Sequence, residues 1–113
     1  MTCKGRIASG TIYATATHEG VKVVGYIRKD DEMPLAWVCD EIVLTSDRKL
    51  TLSRSAYDEV TEETDHLVVA TYSGDDCAVA SFERLFAEPR YDDFKALWAY
   101  IYAKAKTSQS PQK

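Results

Sequence analysis

The sequence contains few of the residues from which chemical sites are usually built. It has two histidines, three cysteines and five glycines among 113 residues. The cysteines lack Cys-x-x-Cys spacing and the histidines lack His-x-x-x-His spacing, so the pattern does not indicate a zinc site. The glycines form no phosphate-binding loop. An odd number of scattered cysteines also argues against a disulfide framework and for a reducing compartment, so we expect a cytoplasmic protein.

Long apolar runs are missing as well. No stretch approaches the roughly 20 residues that cross a bilayer, and the first residues lead into a polar strand rather than a signal-peptide core. With 45% hydrophobic and 28% charged residues the composition is that of a globular domain, large enough for a core without disulfide or metal staples. We expect one domain over residues 1–106 and a disordered polar tail over residues 107–113.

The net charge of −4 hides an uneven distribution of charge. Residues 1–29 hold five basic residues and one acid, and residues 94–113 hold four basic residues and no acid, so each end carries +4. Residues 30–93 hold 17 acids against five bases, a net −12. Direct nucleic-acid binding is therefore not expected. A partner would meet the acidic middle of the chain first.

The clearest periodicity in the chain lies in Tyr91–Lys106. Acids in its first turn and lysines in its last turn complement a helix dipole. Steps of three and four residues place one apolar stripe on this helix, formed by Phe94, Leu97, Trp98, Ile101 and Ala105. Such a helix needs an apolar surface to lie on. We expect Trp98 to fill space left by small residues of the first hairpin.

A first hairpin is predicted from the strands Lys4–Thr17 and Val21–Lys29, joined by a two-residue loop at Glu19-Gly20. In that register Tyr13 faces Tyr26 across the strands on the more polar side of the hairpin. Exposed tyrosines with basic neighbours are common in protein contact surfaces, although tyrosine is also an ordinary strand residue. Both tyrosines are therefore candidate partner-binding residues.

A second hairpin is predicted from Leu35–Thr45 and Leu50–Ser53. Its register stays open between a three-residue loop, which pairs Leu44 with Leu52, and a two-residue loop, which pairs Val43 with Leu52 and Glu41 with Arg54. The polar residues 55–63 that follow are expected to form one or two helical turns or an ordered loop.

A third hairpin is predicted from Leu67–Ser73 and Cys77–Ser81 around a Gly74-Asp75 turn, with a short helix at Ser81–Glu88. The alternative is a helix that begins near Asp76. Together these elements predict an α+β fold. It consists of a single antiparallel, strongly curved sheet of about six strands in three hairpins, packed on a C-terminal α-helix, with one or two short extra helices.

The most distinctive candidate site is an acidic run between the second and third hairpins. Five carboxylates fall within eight residues: Asp58, Glu59, Glu62, Glu63 and Asp65. The run can be a docking surface for a basic partner or an imitation of nucleic-acid phosphates, and it can also be a solvated loop that keeps the chain soluble. Its spacing lacks the alternating acids and central glycine of an EF-hand.

Catalytic combinations are weakly supported. Asp40 and Glu41 follow Cys39 on a predicted central strand, where neighbouring side chains point to opposite faces unless a bulge intervenes. A Cys–His pair would have to form through space with His18 or His66, without a local signature. We therefore lean against an enzyme and predict no catalytic, metal or cofactor site.

The sequence thus predicts a small, non-catalytic binding module of the adaptor or inhibitor type. Its acidic run would engage a protein partner with a basic surface, for instance by occluding a nucleic-acid-binding site; no membrane association is expected. The alternative is a small-ligand-binding protein or modest enzyme with a pocket between sheet and helix, lined by Ala8, Gly10, Ala14 and Gly25. A homodimer formed through a free sheet edge is a third arrangement.

Overall fold

Five strands in simple antiparallel succession form the sheet in the part of the chain that the structure describes. The computed structural model describes residues 10–29 and 36–109. The strands are β1 (Thr11–Ala16), β2 (Lys22–Lys29), β3 (Ala36–Leu44), β4 (Lys49–Asp58) and β5 (Glu63–Ser73), in the spatial order β1-β2-β3-β4-β5. Two helices follow, α1 (Asp76–Ala87) and α2 (Tyr91–Gln109). The predicted α+β class, the antiparallel sheet and the C-terminal helix are confirmed.

The core lies between one face of the sheet and the two helices. Strand β3 alternates strictly between buried and half-buried residues, as a strand with one more deeply covered face should. The sheet contributes Val24, Ile42, Leu44, Leu50, Leu52 and Ala70 to the core. The helices contribute Ala78, Phe82, Leu85, Phe94, Leu97, Ile101 and Ala105. Strands β3 and β4 therefore contribute most of the sheet residues in the core.

Helix α2 follows the predicted periodicity but continues to Gln109, beyond Lys106. Its predicted stripe is buried except at Trp98, which is half-buried and packs against the margin of the core. Trp98, which was expected to fill space left by small residues of the first hairpin, therefore lies at the margin of the core. Phe82 of α1 is fully buried and lies within the core.

Helix α1 replaces the predicted third hairpin. Cys77–Ser81 was expected to be a strand, but it lies in the first turns of a helix that begins at Asp76, which corresponds to the alternative start. Asp75 explains the outcome, because its Oδ1 accepts a hydrogen bond from the backbone amide of Ala78 at 2.7 Å and caps the helix. The described residues therefore contain five strands instead of about six.

The first hairpin is shifted by one residue from its predicted register. The Thr17 amide donates to the Val21 carbonyl at 2.8 Å, and Gly20 takes a positive φ of 90°, so the loop contains three residues rather than two. Tyr13 consequently pairs with Gly25, and Tyr26 pairs with Ile12. A one-residue shift turns side chains to the other face. The predicted Tyr13–Tyr26 pair is therefore wrong, and the two rings lie on opposite faces.

The second hairpin has a three-residue loop, in which Arg48 adopts a positive φ of 66°. This loop pairs Leu44 with Leu50 and Asp40 with Arg54, so both predicted registers are wrong. The segment 55–63 contains no helix: β4 continues to Asp58, and Asp58 Oδ1 accepts a hydrogen bond from the Val60 amide at 2.8 Å to close a turn. Asp58 thus stabilises a turn between two strands where helical turns or an ordered loop were expected.

Several expectations concern residues outside 10–29 and 36–109. They include the first part of the predicted strand Lys4–Thr17 with Ala8, and the end of the predicted tail. The strong curvature of the sheet stays a prediction. Neither of the two helices that the structure describes has the length and apolar character needed to cross a membrane.

Candidate functional site

The acidic run forms the far end of the β4–β5 hairpin. We call residues 57–68 the acidic tip. It comprises the end of β4, a four-residue turn and the first half of β5. Strand β5 is the last strand of the sheet, and every residue from Glu63 to Val68 is exposed. The structure therefore brings all five predicted carboxylates to one end of an edge strand.

Apolar side chains are exposed among these carboxylates. Val60 is 69% exposed, Leu67 62% and Val68 54%, and Tyr57 is exposed as well. The sequence has no lysine or arginine from Ser55 to Glu83. Exposed apolar residues surrounded by charge of a single sign are more typical of a contact surface than of a loop that is only solvated.

The carboxylates of the tip differ in what they contact. Asp58 closes the turn, and Glu59 Oε2 accepts a hydrogen bond from Trp37 Nε1 at 2.5 Å. Glu62 has a positive φ of 62° at the end of the turn. Asp58 and Glu63 are direct cross-strand partners, and like charges in that arrangement destabilise a strand pair. A cation placed beside this pair would remove the penalty.

The candidate tyrosines lie away from the tip, on the first two strands. The Tyr13 hydroxyl donates to Glu41 Oε2 at 2.7 Å, and burial, with hydrogen bonds to Cys39 and Glu41, raises the Tyr13 pKa above its usual range. Tyr26 stacks on Tyr91 with ring centroids 4.3 Å apart. The structure thus gives both rings intramolecular partners, and it does not join them to the acidic tip.

A second polar cluster lies on the helix side of the sheet. Asp40 is buried, and its two oxygens accept hydrogen bonds from Arg54 Nε at 2.6 Å and Nη2 at 3.1 Å. Arg28 Nη2 lies 3.7 Å from the same carboxylate. Hydrogen bonding to Asp40 raises the pKa of the Arg54 guanidinium. The sequence did not reveal this cluster, because neither predicted register of the second hairpin pairs Arg54 with Asp40.

The remaining nucleophilic and titratable residues show no catalytic arrangement. Cys39 contacts Tyr13 and Glu41, and burial raises its thiol pKa, which makes it a poorer nucleophile. His66 Nδ1 lies 2.9 Å from Ser55 Oγ, a cross-strand contact that ties β4 to β5. Over residues 10–29 and 36–109, no three acidic, histidine or cysteine side chains are grouped to hold a metal ion.

Comparison with protein-family models, curated proteins and solved structures finds no match to this chain. Function is therefore argued from the chemistry of its surfaces.

Proposed function

We propose that this protein is a non-catalytic binding module that recognises a basic, extended segment of a partner protein at its acidic tip. The observation that carries the proposal is the exposed first half of β5, an edge strand on which apolar and acidic side chains stand together. The partner segment would pair with β5 as an added strand, and its lysines or arginines would meet the carboxylates of the tip.

The backbone of β5 supports strand addition. Within the described residues β4 is its only neighbour in the sheet, so the N–H and C=O groups along its other side have no strand partner. A segment of six residues, Glu63 to Val68, is about 20 Å long at 3.4 Å per residue. That length suits a short peptide strand.

The side chains of β5 indicate which residue pattern the partner segment should have. Asp65 and Leu67 pair with Ala56 and Arg54, which places them on the helix side of the sheet, whereas Val68 points to the other side. An added strand would therefore meet acids and a leucine on one face, and Thr64, His66 and Val68 on the other. Alternating basic and apolar residues in the partner would match both faces.

Charge argues against a second copy of this chain as the added strand. Two β5 strands would bring acidic side chains against acidic side chains, and like charges across a strand pair are destabilising. Natural edge strands are often protected by lysine, which β5 lacks. The acids of β5 would thus prevent self-pairing while leaving the edge open to a basic partner.

In a cell such a module would act as an adaptor or inhibitor, because covering a basic segment removes it from other acidic ligands, nucleic acid included. We place it in the cytoplasm, a location that agrees with Cys39 and Cys77 being unpaired thiols.

Selection from a random library of twelve-residue peptides against the chain tests the proposal. We expect enrichment of lysine or arginine alternating with apolar residues. In NMR titrations the selected peptides should shift the amides of Asp65 to Val68 most. Methylation of alternate peptide amides should abolish binding, because it removes strand hydrogen bonds without changing side chains.

Charge reversal of Glu62, Glu63 and Asp65 to lysine should weaken the selected peptides at least tenfold. The matched control reverses Glu83, Glu88 and Asp92, exposed acids of the helical half that give the same change in net charge, and should change affinity little. Selected peptides without basic enrichment, or equal losses in both triple variants, would show that the acidic tip is not the recognition surface.

A further inference from the structure

A cleft lies between the helix side of the sheet and the first turns of α2, separate from the acidic tip. Its volume is about 200 Å³, and its walls include Tyr26, Arg28, Arg54, Tyr91, Lys95 and Trp98. Three cationic side chains thus line one cleft, with the buried Asp40 as the carboxylate among its lining residues. The formal local charge is +2 in a chain whose net charge is −4.

We propose that this cleft binds a small aryl anion, meaning a single aromatic ring that carries a phosphate or carboxylate group. The inference is independent of the proposed protein partner, because it uses other residues. The volume also limits the ligand: about 200 Å³ is below the range of roughly 300–1,000 Å³ that is common for drug-sized ligands.

The anion-binding part of the proposal rests on unused donors. A guanidinium has five N–H donors, and Asp40 accepts from Arg54 Nε and Nη2. Among residues 10–29 and 36–109 no other acceptor bonds to Arg54, so its remaining donors can bind another anion, and its side chain is half exposed. Because Asp40 is buried and holds Arg54 with two hydrogen bonds, the guanidinium is oriented before a ligand arrives.

Lys95 supplies a second positive charge, which contacts an aromatic ring rather than a carboxylate. Its Nζ lies 4.6 Å from the ring centroid of Tyr91, and within the described residues no carboxylate lies at ion-pair distance from it. An ammonium group over an aromatic face is attracted to the ring only modestly when exposed. Lys95 can therefore turn towards an anion without breaking an ion pair.

The ring-binding part rests on the aromatic walls. Trp98 is half-buried, with the Arg54 guanidinium carbon 5.9 Å from its ring centroid. Tyr91 is exposed and held by stacking on Tyr26. Rings that are fixed by packing and open to solvent on one side give a planar ligand apolar contact at low entropic cost.

Fluorescence of Trp98 in a Trp37→Phe background tests the proposal, because Trp98 is then the only tryptophan. Phenyl phosphate and benzoate serve as probes. Inorganic phosphate, which has the anion without a ring, and benzyl alcohol, which has the ring without an anion, serve as comparators. We expect at least one aryl anion to change the fluorescence saturably, and both comparators to bind at least tenfold more weakly. Equal affinity for inorganic phosphate, equal affinity for benzyl alcohol, or no saturation by either aryl anion would each overturn the proposal.

Two lysine variants of α2 separate the cleft from general charge effects. Lys95→Gln removes the cation at the cleft and should weaken the aryl anion about tenfold, the low end for a charged hydrogen bond. Lys104→Gln is the matched control, since Lys104 lies 5.5 Å above the ring of Tyr100 in a similar exposed arrangement, and it should change affinity less than twofold. Similar losses in both variants would show that the cleft is not the binding site. Circular dichroism of each variant confirms that it is folded.

Discussion

The hydroxyl of Tyr100 donates a hydrogen bond to Asp75 Oδ2 at 2.9 Å, which joins the middle of α2 to the residue that caps α1. Tyr72, at the end of β5, donates to the same oxygen at 2.6 Å. One carboxylate therefore holds the sheet and both helices. The acidic tip lies at the opposite end of β5, so the anchored end of this strand is distinct from the end proposed to bind a partner.

Removing this shared acceptor should destabilise the protein more than removing either donor. We expect Asp75→Ala to lower the melting temperature more than Tyr72→Phe or Tyr100→Phe, because it also removes the cap of α1. Thermal unfolding followed by circular dichroism gives the order. A melting temperature of Asp75→Ala equal to that of Tyr100→Phe would show that the cap contributes nothing.

The Asp75 carboxylate should also make the stability of the protein depend on pH under acidic conditions. Hydrogen bonds from Tyr72, the Ala78 amide and Tyr100 lower the Asp75 pKa to about 2, against about 3.9 in an unfolded chain. A lowered pKa in the folded state adds stability above pH 4 that is lost as the pH falls through 2. The difference in melting temperature between the wild type and Asp75→Asn should therefore shrink from pH 4 to pH 2. A difference that stays constant across this window would contradict the assignment.

At alkaline pH the stability contributed by Tyr72 should fall as the pH rises, which is the opposite of the dependence expected for Asp75. The hydrogen bond to Asp75 is the largest cause that raises the Tyr72 pKa to about 12, from about 10 in an unfolded chain. A raised pKa of this kind adds stability below pH 10 that is lost as the pH rises through 12. Several tyrosines, Tyr13 among them, should ionise late in an ultraviolet titration, and the one near pH 12 that belongs to Tyr72 should disappear in Tyr72→Phe and move towards pH 10 in Asp75→Asn.

Alanine variants of Phe82 and Trp98 should show which of these two aromatic residues contributes more to stability, which the sequence pattern does not reveal. Phe82 is completely buried, so Phe82→Ala should cost about 3–5 kcal/mol. Trp98 is half-buried and lies at the cleft, so Trp98→Ala should cost less than about 3 kcal/mol despite its larger side chain. Urea denaturation at equilibrium measures both. A larger loss for Trp98→Ala would contradict the assignment of Phe82 as the more deeply packed of the two rings.

These assignments show which features of the fold are visible in a single sequence. The helix from Tyr91 to Lys106 was predictable because its apolar residues repeat over about three turns, whereas its continuation to Gln109 was not predicted. The strand–helix choice at Cys77–Ser81 was not, since five residues are too few to separate the two periods, and the cap at Asp75 decided it.

Register was the least predictable feature, and it decided which residues form sites. One extra loop residue moved Tyr13 and Tyr26 to opposite faces, and the register of the second hairpin brought Asp40 to Arg54. The acidic tip was visible because it depends on composition alone. The cleft was not, because its residues come from three strands and a helix and meet only through pairing.

The outer face of the first hairpin provides the last test, because Gly25 and Tyr13 are direct cross-strand partners there. A Cβ atom added at Gly25 would overlap the Tyr13 ring, so Gly25→Ala should destabilise the protein by about 1–3 kcal/mol, as overpacking typically does. Tyr13→Ala should also destabilise it, since the Tyr13 ring is half-buried and its hydroxyl bonds to Glu41.

The double variant Tyr13→Ala/Gly25→Ala distinguishes this contact from a general intolerance of side chains at Gly25. Once the ring is absent, alanine at position 25 has room and suits a strand better than glycine does, so the second substitution should cost little or even stabilise. The coupling free energy from the four-protein cycle should therefore be at least about 1 kcal/mol. Strictly additive effects would mean that the tyrosine does not cover the glycine and that the one-residue shift in register is incorrect.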